Sequence, residues 1–116
     1  MNQNNETQDI ELSLKKAQEI VELGEALEKL EQNRAFKRVI LEGYLKDEAV
    51  RLVHAKANPE VQLDERKQKA LDDALSGIAN LQGFFYKVKH QAYLASEAIK
   101  DGNEELDRIR EEELGE

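Results

Sequence analysis

An all-α fold is predicted for this 116-residue chain by three features: apolar residues recurring at three- and four-residue steps, 36% charged against 40% hydrophobic residues, and no period-two alternation. That ratio suits a narrow apolar seam better than a thick core, and with only three Phe, three Tyr and no Trp the seam must be built mostly from Leu, Ile, Val and Ala. The expected architecture is an elongated three-helix bundle, or helical hairpin, with a long C-terminal helix carrying a coiled-coil-like seam.

The elements follow in chain order. Residues 1–8 are polar and read as a disordered tail. A single helical domain is expected over 9–112. Its first helix spans about 9–32, capped by Asp9. Ile20, Leu23, Leu27 and Leu30 give it an a/d stripe, while Ile10, Leu14, Ala17 and Val21 form a second, offset one. Gly24 is a weak point there, costing about 1 kcal/mol against Ala. Asn33 marks a junction. A second helix over 34–57 has apolar residues on more than one face, which predicts the deepest burial, and Asn58-Pro59 stops it. After a short loop over 59–63, Asp64 caps a third helix running over about 64–112. Its seam is Leu71, Ala74, Ile78, Leu81, Phe85, Val88, Ala92, Ala95 and Ile99, in alternating steps of three and four. Asp101-Gly102-Asn103 leaves two readings open, a break or a helix continuing through Leu106 and Ile109. Residues 113–116 form an acidic tail.

The net charge of −8 is uneven. Residues 1–33 carry −5, 34–57 carry +3, 58–100 balance, and 101–116 carry −6. The acidic total makes nucleic acid an unfavoured partner. No run of 18 apolar residues exists, so no membrane span is expected, and the polar opening is unlike a secretory signal. With no Cys, disulfides and thiolate metal sites are excluded, and a reducing cytoplasm fits.

Residue types that carry chemistry are not arranged for it. His54 and His90 sit on different expected helices, with no Glu or His at i+3 or i+4. Ser13, Ser76 and Ser96 lie mid-helix without a nucleophile turn, and the six glycines are scattered rather than gathered into a phosphate loop. Adjacent acids such as Asp72-Asp73 do not face each other on a helix. No enzyme activity, metal or cofactor is expected. Two clusters remain as possible anion or partner contacts. Arg34, Lys37 and Arg38 crowd the first turn of the second helix, where cations oppose the dipole; pairing with Glu104–Glu113 would offset that cost. Tyr86, Lys87, Lys89 and Tyr93 form a basic-aromatic patch, read either as a helix–helix contact, which Gly83 would let come close, or as a stacking surface.

The stretch LEKLEQNRAFKRVILEGYLKDEAVRLV, followed by ANPE and the Leu81–Tyr86 region, resembles small helical accessory proteins that tailed bacteriophages encode beside their head and tail genes. The quoted residues cover about a quarter of the chain. The resemblance implies a virion-assembly or accessory role in the bacterial host or the virion, and brings no site residues with it. The combined expectation is a non-enzymatic interaction protein that self-associates through the third-helix seam and binds a larger protein partner. The alternatives are a small acidic inhibitor or adaptor of a host protein, and a ligand- or nucleic-acid-binding module using the basic second helix.

Overall fold

The computed structural model describes residues 3–115, and side chains from Asn5 onward. Among them the chain is all-α: α1 (Gln3–Glu31), α2 (Arg34–Phe36), a π-helical segment (Lys37–Glu48), α3 (Ala49–Lys56), α4 (Pro59–Gln62) and α5 (Glu65–Leu114). The junction residues do what their chemistry predicts. Asn33 is extended, and its Oδ1 accepts the Phe36 N–H at 2.9 Å. Asp64 Oδ1 accepts the N–H groups of Arg66 at 3.0 Å and Lys67 at 3.2 Å, satisfying donors left open in the first turn of α5.

Several boundaries differ from the sequence expectation. α1 opens at Gln3, so the polar stretch to Gln8 is helical and Asp9 lies inside the helix rather than capping it; Met1 and Asn2, also assigned to the tail, lie outside the described residues. The expected loop at 59–63 holds a turn of helix, because Pro59 occupies its first position and Asn58 Oδ1 accepts the Glu60 N–H at 2.9 Å. α5 is unbroken through Asp101-Gly102-Asn103 and reaches Leu114, taking in part of the expected acidic tail; Glu116 lies outside the described residues. No glycine among the described residues has a positive φ, so Gly102 is an ordinary helical residue.

The chain divides into two compact units. The first joins residues up to Leu27 with those from Val88 onward. In it, a Cβ added at Gly24 would collide with the Ala92 side chain, and one added at Gly102 would lie 2.6 Å from Leu14 Cδ2. Gly24 follows Leu14 by ten residues, and Ala92 precedes Gly102 by ten. The two helices therefore run antiparallel in one constant register. That register sets Ala17 level with Ile99, Val21 with Ala95, and Ile10 with Leu106. Between the two glycine contacts each large residue meets a small one, which lets the backbones approach closely; Ile10 and Leu106, both large, meet beyond them. Ala17, Leu27, Val88, Ala95, Leu106 and Ile109 are the buried residues of this unit.

This pairing corrects the reading of the first helix. The offset stripe through Ile10, Leu14, Ala17 and Val21 faces inward, whereas Ile20, Leu23 and Leu30 of the expected seam are 39–54% exposed. Gly24 is also a place where α5 comes close, since an added Cβ would collide with Ala92.

The second unit spans Glu28–Lys87. Its core is thin: Leu52 and Ile78 are its buried residues, and Phe36 meets Phe85 edge-on at 5.9 Å. Lys56 Nζ reaches Asp72 Oδ1 at 2.5 Å, tying α3 to α5. The expected deep burial of 34–57 does not hold, since Val39, Val50 and Val53 are more than half exposed. Along the π-wound segment and the turn before it, Phe36, Ile40, Leu41 and Leu45 are half-buried while Val39 faces outward; Val50 and Val53 lie beyond it, on α3. Gly43 suits this winding, because a Cβ there would press to 3.0 Å on the carbonyl oxygen of Arg38, five residues back.

The glycines give a direct test. Nothing lies within 4 Å of a Cβ placed at Gly83, which corrects the expectation of a close backbone neighbour there. Gly83→Ala should raise unfolding free energy by about 0.5–1 kcal/mol through helix propensity alone. Gly24→Ala should lower it by about 1–3 kcal/mol, because overpacking against Ala92 outweighs the propensity gain. Urea denaturation followed by circular dichroism reads both signs.

Candidate interaction surface

The α5 seam is largely covered by the chain's own residues. Val88 and Ala95 are 5–6% exposed, Ala92 and Ile99 are half-buried in the same unit, and the stripe continues through Gly102, Leu106 and Ile109. In the second unit Ile78 is 4% exposed, Leu71, Leu81 and Phe85 are half-buried, and Ala74 is exposed. Association of two copies through Val88–Ile99 would have to displace α1, so the seam is not a free surface.

The free apolar surface lies beside it. In the first unit, Ala17, Ile20, Leu94, Ala95 and Ala98 line a groove between α1 and α5, with Lys16 and Gln91 at its rim. Leu94 is 53% exposed and Ile20 39%. Ser13 and Ala98 carry the groove onward to a second stretch lined by Asp9, Asp101 and Glu105. One end is therefore aliphatic and the other acidic. Sequence reasoning missed this surface by assigning Ile20 and Leu23 to the seam. The signal that locates it is the matched small residues, Ala17 and Gly24 on α1 with Ala92, Ala95 and Gly102 on α5, which mark the inward stripe and turn the larger side chains aside.

The electrostatics follow the same division. The first unit carries fifteen acids and six bases, a net charge of −9; the second carries ten acids and eleven bases, a net +1. The ion pairs near the C-terminus are local. Arg108 pairs with Glu105 and with Glu112, the latter at 2.5 Å, and Arg110 lies 3.7 Å from Asp107. The Arg108 guanidinium, donating to the Glu105 carboxylate, holds its pKa below the ordinary 4.5. Asp9 and Asp101 make no hydrogen bond or ion pair among the described residues.

Arg34, Lys37 and Arg38 are exposed and make no ion pair among the described residues. In the second patch, Tyr86 and Tyr93 are 76% and 62% exposed, and Lys87 and Lys89 are exposed with them. His54 and His90 are exposed, and among the described residues no group of three or more His, Cys, Asp or Glu could hold a metal ion. No described helix is long and apolar enough to cross a membrane. Comparison of the chain with protein-family models, with curated proteins and with solved structures gives no match.

Because the Glu105 carboxylate is held below its usual range, its contribution to stability is fully present above the ordinary Glu pKa and is lost as the pH falls through the lowered value. A carbon-detected NMR titration should give Glu105 a midpoint below 4.5, and Arg108→Ala should return it to the ordinary range.

Proposed function

We propose that the chain is a non-enzymatic helical interaction protein, which binds a larger protein partner through the groove between α1 and the C-terminal half of α5. The observation that carries this reading is the division of apolar residues in the first unit. The inward stripe is filled by large-to-small packing, yet Ile20 and Leu94 stay exposed along one groove. Contiguous exposed apolar surface of this kind marks interaction sites. The α5 stripe then serves as a coiled-coil-like seam closed within the chain.

The resemblance of residues 27–53 to helical accessory proteins of tailed phages supports an assembly role, placed in the bacterial host or the virion. A second reading, a small acidic inhibitor or adaptor of a host protein, is favoured by the net −9 of the first unit. Both use the same unit and differ in whether apolar area or charge dominates. The same charge disfavours nucleic acid as the partner.

Light scattering at low and high salt tests where the apolar surface is satisfied. The chain alone should have a mass of 13.3 kDa at both salts, since the seam is covered internally. A dimer insensitive to salt would transfer the exposed stripe to a second copy and remove the need for a foreign partner.

A further inference from the structure

We propose that the occupant of the α1–α5 groove is a single amphipathic helix of a partner protein, with an apolar stripe at one end and Lys or Arg at the end that passes Asp9 and Asp101. This rests on the groove reading above and adds the chemistry of the partner.

Three properties of the groove select a helix. From Asp9 to Ile20 the α1 wall covers eleven residue steps, about 16 Å or three turns, the length over which i, i+3/i+4 and i+7 anchors engage. Its lining between the helices is small (Ser13, Ala17, Ala95, Ala98), so a third backbone can approach as closely as α1 and α5 approach each other. Ile20 and Leu94 stand at the aliphatic end as anchors for the entering stripe.

Charge selects the sign. Asp9, Asp101 and Glu105 gather at the other end; Glu105 is neutralised by Arg108, and Asp9 and Asp101 are left without partners among the described residues. Lys16 sits toward the aliphatic stretch, so the gradient along the groove is acidic at one end only. A cation brought to that end gains two carboxylates in a setting that an adjoining helix would partly dry. A second copy laid groove to groove would set one −9 unit against another, and like charges brought together in an interface cost affinity. The charge therefore favours a basic partner over self-association.

The test uses the full chain and a synthetic amphipathic peptide of about eighteen residues, Leu on its apolar stripe and Lys elsewhere, with a Leu/Glu counterpart as control. Titration calorimetry should show the Leu/Lys peptide binding and the Leu/Glu peptide not. Asp9→Asn with Asp101→Asn should weaken binding about tenfold. Glu111→Gln with Glu113→Gln, the same charge change outside the groove, should weaken it less than about twofold. Leu94→Glu should weaken it by about a hundredfold or more, with helicity by circular dichroism unchanged because Leu94 is exposed. Equal losses from the two charge pairs would reduce the binding to general attraction and overturn the proposal. Loss with Leu94→Glu but none with the Asp9/Asp101 pair would overturn the basic partner while the groove reading stood. No loss with Leu94→Glu would remove both. If the chain alone self-associates and Leu94→Glu returns it to monomer, the occupant is a second copy and the proposal fails.

Discussion

The close approach of α1 and α5 at Gly24 and Gly102 is the constraint on which the rest of the first unit depends. With no Cβ at those positions, Ala92 and Leu14 occupy the space a side chain would fill. Once the backbones are that near, only small residues fit opposite large ones, and Ala17 with Ile99 and Val21 with Ala95 follow from the same register. Two consequences appear together. The inward stripe is closed to other chains, and the side chains that do not fit between the helices, Ile20 and Leu94 among them, are left on a flank. The groove is thus a by-product of tight pairing.

Charge and packing divide the molecule along the same line. The unit with the tight helix pair carries the whole net negative charge, while the unit with the π-helical segment is nearly neutral and thinly packed. A −9 surface costs self-repulsion, and aliphatic packing at Val88, Ala95, Leu106 and Ile109 offsets it, with each large apolar side chain contributing about 1.5–3 kcal/mol on full burial. The second unit relies more on directed polar contacts, such as the Asn33, Asn58 and Asp64 caps and the Lys56–Asp72 pair, than on a deep core.

Much of this was legible in the sequence where local chemistry decides the outcome. The Asn33 and Asp64 caps and the helix stop before Asn58-Pro59 appear as read, because capping acts within a few residues. What was missed turns on partners distant in sequence. Ile20, Leu23, Leu27 and Leu30 form as good an a/d pattern as the offset stripe, yet of the four only Leu27 is buried, and the match of Gly24 to Ala92 and Leu14 to Gly102 marks the inward side. Asp101-Gly102-Asn103 left a break or a continuous helix open for the same reason: Gly102 faces Leu14, 88 positions earlier. The π winding over Lys37–Glu48 has no signature in a 3.6-residue reading, and in place of the deep burial expected over 34–57 Val39, Val50 and Val53 are exposed.

The fixed register also limits how such a chain can change length. Between Leu14 and Gly24 on one helix, and between Ala92 and Gly102 on the other, the spacing is equal. An insertion or deletion inside either interval would slide one set of small residues past the other and set Leu14 against a side chain instead of a gap. Only a matched change in both helices leaves the pair able to close. The helix pair behaves as a vernier with one notch: a length change outside these intervals leaves the register intact, and one within them breaks it.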